Sequence, residues 1–580
     1  MKCVYVAIPV SVATLRLYVD KGRKWNAVEH LLLFSLSHAP LDAETLVEKT
    51  NLPWRLIVEV MSRLMRVGWV ELVSTKTGVT FRITIAGQAV VGNDSLPAVT
   101  RPFSRRAGFS IDKITGTVFK AKGLNARSRS YLKRLRSTSD FIELPPIPGA
   151  DRFVADEVIS ALLEEDEHCR GIEPLGSRFV DSFAVVAVTE GEIEGLPTVA
   201  PTFLRKCIIN AVDLHLGKKS VQEHDLFNSI ENTISEKELV EFNFKLSDLI
   251  IGGADHNQHI VETIQKSTSW IVIHSTFVTA TRFSLLLPYL NEAALRGVRI
   301  DILWGKSKND DGSNNTELEV NKCRGMIFDE IVQERIRLHS FTTNSHAKII
   351  LADNGRGAMI GTIGSCNWLS SSFESLDLSV IISDSYLVGE ISSKLSKLAM
   401  GDAGHWSGLV GDLASLAANL KKRKTNSISN AYGALVLGTE HNDFMLRARD
   451  FAVDRIHIVS HKISKNVDTL VVDPIVAALS SKALTVDCKY SEYAHPADEQ
   501  VALDIIKTAT EKGAVFQRIT NINVHAKYLA WDDDHILITS QNILSADPTD
   551  NSCSEIGIYI KSKNISSFVI DKFNCGIIEK

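Results

Sequence analysis

The sequence predicts an α/β protein in which two repeated α/β units follow a helical domain and a small mixed α/β domain. From Leu249 onward, apolar runs typical of buried strands alternate with helical patterns, as they do in layered α/β domains. The order of elements occurs twice, because His256-Asn257 matches His441-Asn442 at an offset of 185 positions (441 − 256). A repeat of this length indicates a duplicated unit. The expected domains are residues 1–97, 98–240, 241–424 and 425–580.

Composition describes an ordinary soluble globular protein. Of 580 residues, 44% are apolar and 23% charged, and the net charge of −5 does not by itself indicate a polyanionic partner. Eight cysteines without C-x-x-C pairs argue against a zinc site or a disulfide framework and favour a reducing cytoplasm. The chain has no signal-peptide pattern and no run of about 18 apolar residues, so neither secretion nor a membrane span is expected.

Two stretches carry one pattern, H-x-K-x4-D, followed by a turn rich in small residues and then a carboxylate before an apolar strand. The first copy supplies His346, Lys348, Asp353, Ser365, Asn367 and Asp377; the second supplies His525, Lys527, Asp532, Ser540, Asn542 and Glu555. Both histidines are predicted on strands, where side chains two positions apart share a face. Two imidazoles and two ammonium groups brought together would offer a nucleophile, a proton donor and a cationic wall for a phosphate.

From about Leu249 to the C-terminus, this doubled pattern resembles the phospholipase D superfamily. The resemblance implies an α/β/α sandwich in each half and one active site where the halves meet as a pseudo-dimer. It implies that one histidine attacks phosphorus and becomes a phosphohistidine. The other histidine would protonate the leaving oxygen and later activate water. The lysines and asparagines would hold the phosphoryl oxygens, with neither metal nor cofactor, and which histidine attacks stays open.

The sequence departs from the family pattern at two positions. Asp377 stands where the family more often has Glu, and Thr539 replaces the usual glycine of the second turn, which we expect it to tighten. His256 and His441 stand where helices begin. Residues there are more often caps than catalysts, although a place at the rim of the active site is the alternative.

Residues 24–97 resemble a winged helix-turn-helix, with three predicted helices followed by a two-strand hairpin. The third helix of such a domain often enters the major groove, which makes four side chains candidates for contact with nucleic acid. They are Arg55, Arg63, Arg66 and Lys76. Winged helices also dock proteins, and Trp54 and Met61 could make such a contact instead.

The middle domain inverts its charge along the chain. Eleven Lys and Arg residues lie between Arg101 and Arg136 against one acid, whereas fourteen acids lie between Ser137 and Ala200. The basic segment could follow a phosphate backbone, or it could be a solvated surface. Its candidate contacts are Lys120, Lys122, Arg127, Arg129, Lys133 and Arg134. The acidic segment could cover the basic one as an autoinhibitor, although two faces of one small domain is the preferred interpretation.

The sequence therefore predicts a cytoplasmic, metal-independent nuclease that cleaves DNA or RNA through a phosphohistidine. Prokaryotic antiviral defence or repair is the biological setting that the architecture suggests. One alternative is a phospholipase or phosphatidyltransferase. Another is a nucleic-acid-binding subunit that works with a partner ATPase or helicase. Nucleic acid is the expected partner, a homo-oligomer stays open, and no membrane is expected.

Overall fold

A computed structural model describes most of the chain, and its contacts divide it into two units. The first unit is Met1–Glu236 with Gly411–Lys422; the second is Lys237–Val410 with Arg423–Lys580. The described residues are 3–22, 25–75, 78–93, 96–97, 100–147, 154–164, 166–174, 179–217, 239–305, 316–401, 407–422, 429–495, 499–546 and 555–578.

The helical part of the first unit lies between residues 25 and 97. Asn26 begins the first helix with a reciprocal capping box, Asp42 caps the second, and Pro53 precedes the third. Gly68, at a φ of 76°, turns the chain into the hairpin. The elements are α1 (Ala27–Leu36), α2 (Ala43–Thr50), α3 (Trp54–Arg66), β2 (Val70–Thr75), β3 (Gly78–Ile83) and an unexpected α4 (Ile85–Val91).

A mixed sheet forms the rest of the first unit. Its elements are β1 (Val4–Lys21), β4 (Arg101–Asp112), β5 (Val118–Lys120), β6 (Ala126–Arg127), α5 (Arg129–Thr138), β7 (Phe141–Glu143), α6 (Ala155–Leu162), β8 (Glu167–Pro174), β9 (Val180–Thr189), β10 (Glu192–Glu194) and α7 (Thr202–His215). The long strand β1 pairs with β4, β7, β8 and β9. The first strand therefore belongs to the middle domain and not to the helical domain predicted over residues 1–97.

The helical part is an insertion in a β-hairpin. Strands β1 and β4 are antiparallel, and Lys21, at the end of β1, pairs with Arg101, at the start of β4. The chain thus leaves and re-enters the sheet at neighbouring positions. A sequence pattern does not show this, because the two strands are some eighty positions apart.

Acidic and basic side chains of the middle domain pair with each other. Arg105 makes two hydrogen bonds to the buried carboxylate of Glu167, at 2.8 and 3.1 Å. Lys21 pairs with Glu164 at 2.9 Å. Helix α6 ends at Leu162, and Glu167 begins the strand β8. These ion pairs fit the preferred interpretation, in which the basic and acidic segments are two faces of one small domain.

The second unit contains two layered halves. The first half consists of β12 (Leu249–Ile251), α8 (Gly253–Lys266), β13 (Trp270–Ser275), α9 (Ala280–Leu295), β14 (Arg299–Trp304), α10 (Thr316–Gly325), α11 (Glu330–Arg335), β15 (Ile336–Leu338), β16 (Ile349–Asp353), β17 (Met359–Gly364), β18 (Leu378–Ile382) and α12 (Ser385–Met400). Helix α13 (Gly408–Lys421) follows. The predicted domain 241–424 placed this helix in the first half, but from residue 411 it belongs to the first unit.

The second half consists of β19 (Ala431–Leu437), α14 (Glu440–Phe451), β20 (Arg455–Ile463), α15 (Asp473–Ser481), β21 (Thr485–Tyr493), α16 (Glu499–Glu511), β22 (Ala514–Arg518), β23 (Tyr528–Trp531), β24 (His535–Thr539), β25 (Ile556–Ser562) and α17 (Ile565–Ile578). Strand β11 (Val240–Phe242) lies before the first half in sequence but pairs with β19, at the edge of the second half's sheet.

The two sheets have the same strand order. The first runs β12-β18-β17-β16-β13-β14-β15, and the second runs β19-β25-β24-β23-β20-β21-β22 beyond the added β11. Each sheet is mixed, because β13, β14 and β15 are parallel while β16, β17 and β18 are antiparallel to their neighbours. The apolar cores consist mainly of Ile, Val, Leu and Ala from strands and helices of the same half.

Among the described residues, every helix is either too short or too polar to cross a lipid bilayer.

Candidate active site

The two histidine motifs lie just before paired strands. His346 and Lys348 precede β16, which begins at Ile349, and His525 and Lys527 precede β23, which begins at Tyr528. They were predicted within these strands, so the difference is a few positions at one end. In both motifs the lysine ammonium bends back onto the carbonyl of the histidine two positions earlier, at 2.6 and 2.8 Å.

Each histidine is hydrogen-bonded to a carboxylate of the other half. His346 Nδ1 donates to Glu555 Oε1 at 2.9 Å, and His525 Nδ1 donates to Asp377 Oδ1 at 2.7 Å. A carboxylate only accepts, so each Nδ1 carries the proton and each Nε2 is left for chemistry. All six of the motif's histidines, lysines and late carboxylates therefore serve one site, which the two halves share.

Backbone contacts hold the halves together beside these pairs. The Leu376 amide donates to Asn523 O at 2.9 Å, and the Leu376 carbonyl accepts from the amides of His525 and Ala526 at 3.0 and 2.8 Å. Asp377 follows directly in the chain. The segment that carries the carboxylate thus also fixes the backbone of the histidine that it contacts.

Serine hydroxyls fill the remaining positions around the two carboxylates. Ser365 and Ser375 donate to the two oxygens of Asp377 at 2.6 and 2.7 Å, and Ser540 donates to Glu555 at 2.5 Å. Burial by itself would raise the pKa of the Asp377 carboxyl. The charge and hydrogen bond of His525 outweigh it, and so that pKa lies well below its usual range.

The pKa shifts describe a neutral imidazole beside an ionised carboxylate. Burial, and then the charge of Lys527, lower the pKa of His525 to about 4 against the opposing effect of Asp377. Burial and Lys348 lower the pKa of Lys527 to about 7. Burial would raise the pKa of Glu555, but His346 and Lys348 hold it well below its usual range. At neutral pH, the site thus combines a ready nucleophile with an ammonium that an added anion would stabilise.

Two buried polar atoms at this site have no hydrogen-bond partner among the described residues. They are His346 Nε2 and the side-chain oxygen of Asn367. Buried polar atoms are rarely left unpaired, so both are open to a ligand. Asn542, the other asparagine of the pattern, instead accepts from the Lys462 amide at 3.3 Å.

Asp353 and Asp532 lie elsewhere, which corrects their placement among the catalytic residues. Asp353 ends β16 and accepts bonds from the amides of residues 268–270 and 355, at 2.8 to 3.1 Å. Asp532 accepts from the amides of Val453 and Asp454 at 3.0 and 2.8 Å. Six residues lie between His346 and Asp353, and Asp353 stands at the far end of β16. These aspartates hold backbone amides at strand ends.

The Thr539 departure is matched by a second exchange on the neighbouring strand. Gly364 pairs with Ser379 in the first half, and Thr539 pairs with Gly557 in the second, so the hydroxyl and the glycine trade strands. In both halves the hydroxyl meets a helix histidine, since Ser379 lies 2.9 Å from His256 Nε2 and Thr539 lies 2.7 Å from His441 Nε2. Thr539 therefore satisfies a buried imidazole, and its hydroxyl also accepts from the Gln541 amide of the turn at 3.0 Å.

His256 and His441 are structural residues at the starts of α8 and α14. Their Nδ1 atoms donate to the carbonyls of Gly252 and Gly438 at 2.6 and 2.7 Å. Each Nε2 is thus the acceptor for the hydroxyl described above. Both rings are buried, so the interpretation as helix-start residues fits, and a place at the rim of the site does not.

Three further residues contact the motifs and were not predicted from sequence. Thr276 donates to His346 O at 3.0 Å and accepts from Lys348 Nζ at 2.8 Å. Ser375 holds Asp377, and the His461 ring lies 5.0 Å from that of His525. Ser375 follows Asn367 closely enough to be a candidate from sequence. Thr276 and His461 could have been found only by extending the offset of 185 through the strands β13 and β20.

The residues predicted to contact nucleic acid lie in the first unit, described here by itself. Arg55 and Arg66 are exposed on α3, but Arg63 pairs with Glu59 and with the buried Glu29 and is not a free cation. Met61 is buried, whereas Trp54 is exposed. Lys76 lies outside the described residues. All six candidate cations of the basic segment are exposed: Lys120, Lys122, Arg127, Arg129, Lys133 and Arg134.

Within the described part of the chain, no group of three or more His, Cys, Asp or Glu side chains could hold a metal ion.

Comparison with known proteins gives one family match and several distant structural likenesses. The family model described as "Cardiolipin synthase, PLD-like domain" matches residues 260–399. No curated protein matches the sequence. The phosphatidylserine synthase of Haemophilus influenzae Rd KW20 is 11% identical over 61% of this chain and 90% of its own, with a TM-score of 0.42.

Two further solved structures resemble the chain. Yeast tyrosyl-DNA phosphodiesterase is 12% identical over 52% of this chain and 84% of its own, with a TM-score of 0.34. Nuc, a phospholipase D family member from Salmonella typhimurium, is 14% identical over 24% and 93%, with a TM-score of 0.21. At TM-scores below 0.5, these likenesses add no argument to the geometry of the site. The family match stands by itself: the chain contains a phospholipase D-like domain over residues 260–399.

Proposed function

We propose that this protein is a metal-independent phosphodiesterase of phospholipase D type, in which the two halves act as a pseudo-dimer with one active site. The observation that carries the proposal is the crossed pairing of His346 with Glu555 and of His525 with Asp377. Two histidines that only hold structure would not each need a carboxylate from the other half. Two histidines that must present Nε2 to one phosphorus would.

The chemistry follows from the fixed tautomers. Nε2 of one histidine attacks phosphorus, and an N–P bond forms as the P–O bond to the leaving group breaks. The other histidine, which starts protonated on both ring nitrogens, gives the leaving oxygen the proton of its Nε2 and becomes neutral. That histidine then takes a proton from water, whose oxygen attacks phosphorus and releases the first histidine. The carboxylates keep both rings oriented and stabilise each imidazolium as it forms.

The cations on the site supply charge stabilisation for the phosphoryl group. Lys348 lies close enough to lower the pKa of both His525 and Lys527, so the two ammonium groups share one space. The unpaired Asn367 Oδ1 is an acceptor, so it would bind a hydroxyl or water and not a phosphoryl oxygen. Positive groups already in place at developing negative charge are the largest source of rate enhancement in many enzymes.

The substrate that we propose is DNA or RNA. This part of the proposal rests on the first unit, whose helices α3 and α5 expose arginines. On α5 the guanidinium groups of Arg129 and Arg136 lie over the rings of Phe183 and Phe141, at 5.3 and 5.4 Å. Both also pair with Glu143, at 3.4 and 3.7 Å, but their side chains stay 70% and 67% exposed, as contacts to a phosphate backbone require. The helical insertion would act as a winged helix.

Phospholipid is the second candidate substrate, because the matched family model carries cardiolipin synthase in its description. The same histidines and lysines would serve a phosphatidyl transfer, in which an alcohol replaces water in the second step. The site geometry is common to both reactions, so the substrate itself has to be tested.

The test compares labelled single- and double-stranded DNA and RNA with phosphatidylglycerol vesicles, each with and without EDTA. We expect cleavage of a nucleic acid that EDTA leaves unchanged. His346→Ala and His525→Ala should each abolish cleavage, while His495→Ala, an exposed histidine of the same unit, should not. Loss of activity in EDTA that magnesium restores would contradict the mechanism. Turnover of the vesicles alone would assign the phospholipid function.

A further inference from the structure

The two halves of the site differ at one pair of equivalent positions. Ser275 and Ser460 occupy the same place in β13 and β20, since each donates to the carbonyl two positions later at 2.8 Å. Each also accepts an amide from the turn after the asparagine, from Leu369 and Leu544 respectively. The next residue is Thr276 in the first half and His461 in the second. Repeated strands thus present a hydroxyl on one side and an imidazole on the other.

The threonine ties down the first lysine. Lys348 Nζ donates to Thr276 Oγ1 at 2.8 Å and to His346 O at 2.6 Å, and Thr276 Oγ1 donates in turn to His346 O at 3.0 Å. All three groups are buried in one closed arrangement. An ammonium with two protein acceptors this close has less capacity left for a ligand.

The histidine gives the second lysine no such acceptor. His461 Nδ1 lies 2.9 Å from Val524 O, and its Nε2 faces the exposed carboxylate of Glu492 at 3.5 Å. Among the described residues, the one hydrogen bond of Lys527 Nζ is to His525 O, at 2.8 Å. Two of its three N–H donors are therefore unmatched in a buried place, which is costly unless an anion arrives.

From this difference, and resting on the proposed function, we infer that Lys527 is the principal anchor for the substrate's phosphoryl oxygens and that His461 is the positioning residue that keeps it available. Lys348 then serves mainly to hold the first motif. The anion would sit nearer the second half, beside the ring of His525. A site built from two similar halves would in this way bind phosphate asymmetrically.

The charges around Lys527 agree with this role. Burial, then Lys348 and Lys462, lower its pKa to about 7 against the opposing effect of Asp377 and Glu555. His525 shares the same space. An anion bound to Lys527 would favour the ammonium, so binding at or above neutral pH should take up a proton.

The experiment measures binding of sulfate, whose charge does not change near neutral pH, by isothermal titration calorimetry in buffers of different ionisation enthalpy. Lys527→Met should weaken sulfate binding by about tenfold or more, which is the loss of one charged hydrogen bond or a little more. Lys348→Met should weaken it by no more than about threefold and should instead lower the unfolding temperature. Equal losses of affinity in the two variants would overturn the inference.

A matched pair tests His461 itself. His461→Thr supplies the hydroxyl of the first half, whereas His461→Val has the same shape without it. Only the threonine variant should weaken sulfate binding, by about threefold to tenfold, and reduce the proton uptake. The same change in both variants would show that loss of the ring matters and not the acceptor. Sulfate binding needs no turnover, so a wild type that cleaves no phosphodiester would refute the proposed function separately.

Discussion

Replacing Thr539 with glycine should destabilise the second unit, and a compensating serine at position 557 should restore most of the loss. The Thr539 hydroxyl is the partner of the buried His441 Nε2, at 2.7 Å. A buried acceptor without its donor costs about 1–3 kcal/mol, and a glycine near the end of a strand adds about 0.5–1 kcal/mol. We therefore expect Thr539→Gly to lower the free energy of unfolding by about 2–3 kcal/mol.

The serine alone should also destabilise. A Cβ at Gly557 would lie 3.0 Å from His441 Nε2, from Ile538 O and from Thr539 Cβ, so all three would have to move. Overpacking of this kind typically costs about 1–3 kcal/mol. With Thr539 already replaced by glycine, the contact with its Cβ disappears. The serine hydroxyl then takes the position that Ser379 has beside His256 in the first half.

The double variant should therefore be more stable than the two single losses predict, with a coupling of about 3 kcal/mol in a double-mutant cycle. Thermal unfolding followed by circular dichroism measures it. At about 2 °C for each kcal/mol in a unit of this size, Thr539→Gly should unfold about 4–6 °C early, and the double variant within about 2–3 °C of wild type. Losses that simply add would refute the exchange of hydroxyl and glycine between strands.

Three other predictions follow from the same contacts. Asp377→Asn should reduce turnover about a thousandfold or more, because His525 loses the acceptor that fixes its tautomer. Asp353→Asn should instead lower the unfolding temperature and leave turnover within a few fold of wild type. Equal losses of turnover in steady-state kinetics would contradict the assignment of different roles to the two aspartates. Joining Lys21 to Arg101 through an Asn-Gly turn should leave the sheet folded and cleavage of a small phosphodiester unchanged. Oligonucleotide binding should weaken, and the slope of its logarithmic dependence on salt should fall by about 2, because Arg55 and Arg66 are lost. An unaltered slope together with a lost oligomer would make the insertion a protein-docking module. The pKa values of His525 and His461 are lowered to about 4 and about 3, so below about pH 6.5 the unfolded chain binds protons that the folded chain does not. The denaturant concentration at the unfolding midpoint should therefore decrease as the pH is lowered from 6.5 to 4. A midpoint that stays constant over this range would mean that both rings are already charged in the folded protein.

Periodicity and spacing in the sequence were sufficient to predict the alternating helices and strands of the two halves and the motif side chains that meet in the candidate site. The offset of 185 between His256 and His441 predicts two similar α/β halves, and the two sheets do share one strand order. The three helices and the two-strand hairpin predicted over residues 24–97 are likewise present. These are properties of short segments, for which neighbours in sequence are neighbours in space.

Long-range pairing was beyond what the spacing could show. In the motif H-x-K-x4-D, Asp353 is close to His346 in sequence, but it lies at the far end of strand β16. Strand β1 pairs with strands that begin some eighty to 180 positions later, so nothing near it in sequence reveals its partners. For the same reason, a deletion of residues 1–97 would remove a central strand. The crossing of histidines and carboxylates between halves belongs to this class as well.

That crossing has a consequence for the growing chain. When the first half has emerged from the ribosome, His346 has no contact with Glu555, because Glu555 is synthesised about two hundred residues later. Asp377 likewise waits for His525. Neither ring is oriented until almost all of the second half has emerged and docked through Leu376. Under the function proposed above, partly made copies of the protein would therefore lack a complete active site throughout translation.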